Sequence, residues 1–146
     1  MLPSYEERSV WVQLVSLCAV FAGYMSVSIA MMSRGVLHLA PYVAVFMTSV
    51  GLLIALMIAG HLAAILLGKP ERADERDRQI GWRAESNSSW LLGAGVFCAI
   101  SAMCLGIETV WVAHLLLASL FASEILKLAL QIVYYRRGIS GSGGGA

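Results

Sequence analysis

The sequence predicts an all-α membrane protein with four transmembrane helices arranged as two hairpins. The first observation is composition: 59% of the 146 residues are apolar and only 13% are charged. A water-soluble domain of this length could not cover so much apolar surface with so few charges. The second is pattern, because one charged stretch between residues 69 and 85 separates two pairs of long apolar runs. The chain is therefore predicted to be one transmembrane domain, 1–138.

The first half supplies two predicted spans. Residues 10–32 carry no charge and are long enough to cross ~30 Å of hydrocarbon at about 1.5 Å per residue. Glu6 and Glu7 precede this run, which argues against a signal peptide and for a retained span. Ser33-Arg34-Gly35 and Pro41 interrupt the pattern, and the second span follows at 42–67.

The second half repeats the arrangement with a shorter third span. Residues 90–107 form that span, which ends in a tight turn beginning at Gly106, and residues 110–135 form the fourth. Residues 139–146 are rich in Gly and Ser, as in a flexible linker. They are excluded from the fold.

The charged loop, 68–89, contains opposite charges three or four residues apart, which can pair along a helix. It predicts a short cytoplasmic surface helix with Ile80 and Trp82 facing lipid headgroups. This loop is the candidate recognition surface, and its candidate residues are Arg72, Asp74, Glu75, Arg76, Asp77, Arg78, Ile80 and Trp82. Its carboxylates could hold a divalent cation, but the alternating arginines favour a solvated, salt-bridged helix.

The distribution of Lys and Arg predicts the orientation. Arg8, five residues of the charged loop, Arg136 and Arg137 make eight on one side, against Arg34 alone on the other. The N and C termini and the charged loop are therefore expected in the cytoplasm, in a bacterial inner membrane.

Small residues recur every four positions in three spans, where they let helix backbones approach closely. These ladders are Ala22-Ser26-Ala30, Gly51-Ala55-Ala59-Ala63 and Gly95-Ala99. One interpretation is packing within a single bundle. The other is that a ladder faces a second copy and makes a homodimer.

Polar residues inside the spans mark a candidate intramembrane site. Glu124, Lys127 and Gln131 share one face of the fourth span, and Glu124 lies near its midpoint. Ionisable groups at this depth face the protein interior or a wet cavity. Three interpretations are open. Glu124 and Lys127 neutralise each other as a pair, Glu124 is a proton or cation site gated by Lys127, or Glu124 contacts a partner helix. His61 of the second span lies at a similar depth and is expected either to join them or to bond between helices.

Several function classes lack support in the sequence. A net charge of +1 argues against nucleic-acid binding. Cys18, Cys98 and Cys104 lie in apolar runs without metal-ligand spacing, so neither a disulfide nor a metal site is expected. No nucleophile with its base, phosphate loop or cofactor motif is present in the sequence. The chain is not expected to be an enzyme or to bind a cofactor.

The motif Ala73-Asp-Glu-Arg-Asp-Arg-Gln-Ile80 lies between two membrane hairpins. With Tyr5-Glu-Glu-Arg-Ser-Val-Trp-Val12 and the ending Tyr135-Arg-Arg-Gly138, it resembles an uncharacterised family of small bacterial four-span inner-membrane proteins. The resemblance implies the same fold and topology, and it implies no activity.

These observations lead to two hypotheses. The first is a non-enzymatic accessory or regulatory subunit that binds itself or a larger membrane complex, through the charged loop and the small-residue faces. The second is a small homodimeric transporter or proton-coupled channel that uses Glu124. Apart from membrane lipids, the expected partners are a second copy or other membrane proteins.

Overall fold

The computed structural model describes residues 5–66 and 75–137, which form four α-helices. These are α1 (Tyr5–Ser33), α2 (Ala40–Leu66), α3 (Glu75–Cys104) and α4 (Thr109–Arg137). Each helix is long and apolar enough to cross a membrane. The predicted all-α class is confirmed, as are four long apolar helices that could span a membrane. Arg72, Asp74 and the 139–146 tail lie outside the described residues.

Each hairpin reverses at a glycine with positive φ, 81° at Gly35 and 74° at Gly106. At the first turn the Gly35 N–H donates to Met32 O (2.9 Å) and the Val36 N–H to Met31 O (3.2 Å). Gly106 and Ile107 repeat this pattern after α3. The pattern is a Schellman motif, which requires a left-handed residue and satisfies the last carbonyls of the helix. Helices α1 and α3 therefore each end at a glycine that can adopt the left-handed conformation.

The helices pack mainly in the order α2, α1, α4, α3. Because α1 and α4 run antiparallel, both hairpin turns lie at one end of the bundle, which we call the turn end. Tyr5, Leu66, Glu75 and Arg137 lie at the opposite, charged end. Helix α2 is at the edge of the bundle, and its only buried residues are Tyr42 and Ala64.

Two glycines allow neighbouring helices to approach closely. A Cβ on Gly60 would overlap the Val12 side chain, and a Cβ on Gly95 would overlap that of Ser119. Gly95 and Ala99 are buried, so the third ladder packs within the chain. The ladders Ala22-Ser26-Ala30 and Gly51-Ala55-Ala59-Ala63 are exposed throughout. For these two, the interpretation as packing within the bundle is wrong.

The charged residues before the third span belong to α3 itself. The helix runs from Glu75 to Cys104 without a break, so a separate surface helix is not present in this part of the chain. Its 75–89 segment contains no proline and only one glycine, and it packs through Ile80, Ala84 and Ser88, which are spaced four apart and buried. Ile80 is fully buried, which corrects its predicted position among lipid headgroups, whereas Trp82 is 84% exposed.

Candidate functional site

Lys127 of α4 is the centre of an ion cluster between two helices. Its Nζ forms an ion pair with Glu124 one turn earlier, and a second with Glu85 of α3 at 3.4 Å. The Lys127 side chain is 20% exposed, whereas those of Glu124 and Glu85 are 42% and 63% exposed. Two carboxylates against one ammonium leave the cluster with a net charge of −1. Glu85 was not among the predicted site residues, because it was assigned to the charged loop.

The cluster lies where the polar part of α3 meets α4. The Ser123 hydroxyl donates to the Ser88 carbonyl at 3.1 Å in a buried contact. Glu124 follows Ser123, so it lies level with the polar segment 85–89 and not beside the apolar part of α3. The spacing along the fourth span already placed Lys127 beside Glu124, and α3 supplies further polar neighbours at the same level.

A cavity of about 590 Å³ opens beside this cluster at the charged end. It lies between α1, α3 and α4, and its volume is within the range of about 300–1,000 Å³ typical of ligand pockets. Its charged and amide lining consists of Glu6, Gln13, Asp77, Arg78, Glu85, Lys127 and Gln131. Its other lining residues are Val10, Gly81, Trp82, Leu128 and Tyr135.

Carboxylates from both hairpins approach each other at the entrance to the cavity. Burial raises the pKa of Glu6 on α1, and the negative charge of Asp77 on α3 raises it further. Next to them, Glu7 pairs with Arg136 at 3.6 Å, and the Arg136 guanidinium lies 5.5 Å from the centre of the Trp11 ring. At the entrance, therefore, Glu6 and Asp77 are close enough to repel each other.

The structure brings three of the four predicted intramembrane residues together. Gln131 lies beside Gly81 and lines the same cavity as Lys127, and Glu124 joins them through its ion pair. His61 is not part of this group. Its Nδ1 bonds to the Met57 carbonyl at 2.8 Å, so its Nε2 accepts from the Ser9 hydroxyl at 3.0 Å. Of the two expectations for His61, the structure therefore has the hydrogen bond between helices and not the contact with Glu124 and Lys127.

The described residues of the predicted recognition surface separate into two groups. Glu75, Arg76, Arg78 and Trp82 are exposed on the first turns of α3. Asp77 is half-buried at the cavity and Ile80 is buried in the bundle. The exposed group leaves a mixed-charge surface at the start of α3, while Ile80 packs that segment against the rest of the bundle.

An aromatic cluster at the turn end was missed by the sequence analysis. His114 is 5% exposed, and its Nδ1 donates to the Val110 carbonyl at 2.7 Å. Its Nε2 then accepts from the Tyr24 hydroxyl at 3.0 Å. The Tyr42 ring meets the imidazole edge to face at 4.8 Å, and the Tyr42 hydroxyl donates to the Val36 carbonyl at 2.8 Å. The sequence does contain one indication of this cluster. Tyr24 lies within an apolar span, and a buried tyrosine needs a hydrogen-bond partner.

Apolar packing separates this cluster from the cavity. Phe21 of α1 and Phe121 of α4 stack with their ring centres 4.7 Å apart. Nearer the charged end, Val10, Leu128 and Ile132 form a buried cluster. The cavity is therefore open toward the charged end and closed toward the turn end by these α1–α4 contacts. A second, mostly apolar cavity of about 440 Å³ lies between α1 and α2, next to Tyr24.

The chain was compared with known protein families, curated proteins and solved structures, and nothing in any of the three matches it.

Proposed function

We propose that the chain is a non-enzymatic multi-pass protein of the bacterial inner membrane, and that it acts as an accessory or regulatory subunit. The observation that supports this proposal most directly is the pair of exposed small-residue ladders on α1 and α2. Among the described residues no other helix covers these ladders, although they are suited to close helix approach. In this proposal a second copy or a larger membrane protein packs against them.

The proposed orientation places both termini and the charged end in the cytoplasm. Eight Lys and Arg residues on that side against one on the other support it. The exposed start of α3, with Glu75, Arg76 and Arg78, would then be available to a cytoplasmic part of the partner.

A matched pair of substitutions on α2 tests the association. Ala59 belongs to an exposed ladder, and its neighbour Ile58 is 57% exposed on another side of the helix. We expect Ala59→Phe to remove the bound partner or second copy in native mass spectrometry of gently extracted protein. Ile58→Phe should leave it bound. If both variants keep every bound protein, the proposal is wrong.

A second substitution tests the charged surface. Reversing the charge of Arg76 and Arg78 together should remove a cytoplasmic contact of the partner but leave the transmembrane contact. The expected result is a weaker complex at low salt, and a difference from the unmodified complex that shrinks as added salt screens the charges. Unchanged co-purification would limit the proposal to the membrane faces.

A second candidate function is a small homodimeric transporter or proton-coupled channel. It is favoured by the net negative ion cluster of Glu85, Glu124 and Lys127 beside an open cavity. In this candidate Glu124 exchanges its ion pair with Lys127 for a proton or another cation. Glu124→Gln should then abolish pH-dependent flux in liposomes while preserving the fold, and normal flux would exclude this function.

A further inference from the structure

The cavity at the charged end combines charged side chains with apolar and aromatic ones. Its charged residues lie at two levels, because Asp77 and Glu85 are separated by about 12 Å along α3. Between these levels the lining includes the Val10 and Leu128 side chains and the Trp82 and Tyr135 rings. A molecule that fills the cavity therefore meets charge at both ends. Between them it meets apolar and aromatic surface and the Gln131 amide beside Gly81.

The charges favour a cation over an anion. Among the described lining residues, three carboxylates (Glu6, Asp77 and Glu85) stand against two cations, Arg78 and Lys127. Lys127 is already paired with Glu85 and with Glu124, which lies just outside the lining. An entering anion would meet this excess of carboxylates, whereas a cation would reduce it.

Two of these carboxylates lie close together at the entrance. The pKa of Glu6 is raised first by burial and then by the negative charge of Asp77, so the two side chains repel each other. The Trp82 and Tyr135 rings line the same space and offer faces that attract ammonium groups.

We propose that this cavity binds an organic ammonium ion that carries an apolar body, with Glu85 as the principal counter-charge. The ammonium group is held near Glu85 at the inner level, and the apolar body lies along Val10, Leu128 and the aromatic rings. The inference rests on the cavity alone, so it does not depend on the subunit role or on transport.

The ammonium group could belong to a free amphiphilic amine or to an ethanolamine lipid headgroup, since both present the same chemistry. The first measurement is calorimetric titration of the full chain in uncharged maltoside micelles with hexyltrimethylammonium, after subtraction of the micelle-only blank. We expect saturable binding of one molecule per chain. Neutral 1-heptanol and anionic hexyl sulfate should bind at least about tenfold more weakly, because they lack the positive charge.

Two variants and one control test the site itself. Glu85→Gln removes a carboxylate on a side chain that is 63% exposed, so the fold should tolerate it. Gly81→Leu fills the cavity without changing charge, and a Cβ there meets only Gln131 Nε2 at an ordinary 3.8 Å. Both should weaken binding by about tenfold or more. Glu108→Gln, an exposed carboxylate at the turn end, should leave affinity unchanged.

The outcomes are distinct. If added phosphatidylethanolamine displaces hexyltrimethylammonium from the unmodified chain, the lipid headgroup is the natural source; if it does not, a free amine is. Equal binding of heptanol or hexyl sulfate overturns the proposal. Affinity that survives both Glu85→Gln and Gly81→Leu also overturns it. None of these results depends on whether a partner protein co-purifies.

Discussion

The two ends of the bundle use polar side chains in opposite ways. At the turn end, Tyr24, Tyr42 and His114 are buried partners whose hydrogen bonds are made within the chain. At the charged end, Glu85, Glu124 and Lys127 are partly exposed beside a cavity of about 590 Å³. Buried satisfied networks rigidify a fold, whereas exposed charges remain available to solvent and ligands. The turn end therefore fixes the helices, and the charged end is where exchange with the surroundings can occur.

Breaking the turn-end cluster should have the largest effect on stability. His114→Leu removes two hydrogen bonds and leaves the buried Tyr24 hydroxyl without its acceptor. We expect a loss of about 2–4 kcal/mol in the free energy of unfolding, measured in detergent by denaturant titration. His38→Leu, at an exposed histidine near the same end, should change it by less than about 0.5 kcal/mol. Equal effects would show that the cluster does not hold this end together.

The ion cluster should contribute less, because its members are partly exposed. Lys127→Met leaves Glu85 and Glu124 near each other without their shared cation. The expected loss is about 1–2 kcal/mol. Adding Glu124→Gln should recover part of this loss, and the double-mutant cycle measures the coupling. A double variant as unstable as the sum of the two single variants would rule out direct coupling.

A chemical accessibility experiment compares the solvent access of the two ends directly. In a variant with Cys18, Cys98 and Cys104 changed to alanine, Gln131→Cys places a thiol in the cavity and Val112→Cys places one in the packed turn end. A membrane-impermeant maleimide should modify the cavity thiol about tenfold faster or more, because access and ionisation govern thiol reactivity. Similar rates would mean that the two ends are equally open.

The smallest expected effect is the pH response of Glu6. Burial and the charge of Asp77 raise its folded pKa above the ordinary value of 4.5, so the folded state binds the proton more tightly than the unfolded chain does. Stability should therefore rise as pH falls from neutral through the raised pKa towards 4.5. Glu6→Gln should remove this rise and increase stability at pH 7 by well under ~1 kcal/mol, because solvent screens a partly exposed group. Glu7→Gln, which loses the ion pair with Arg136, should leave the rise in stability at low pH in place.

The fold was predictable because apolar length and hairpin breaks are local properties of the sequence. Gly35 and Gly106 ended helices as the sequence suggested, and the Glu124–Lys127 pair followed from their spacing. Three features depended on which faces the helices share. Ile80 was expected at the surface, Glu85 was assigned to a loop, and Tyr24 was not connected to His114. Periodicity gives the spacing along one helix but not the identity of the neighbouring helix, so these contacts required the tertiary structure.

The polar start of α3 has a consequence for the surrounding bilayer in the proposed membrane arrangement. The uncharged apolar part of this helix, 90–104, is only about 22 Å long. Helix α2 presents exposed apolar side chains from Val43 to Leu66, about 36 Å along its axis. A hydrocarbon core of about 30 Å fits α2 with some tilt but exceeds the apolar length of α3. Hydrophobic mismatch should thus thin the leaflet beside α3 and draw headgroups and water toward Glu85, so that the protein would partition preferentially into thin membranes.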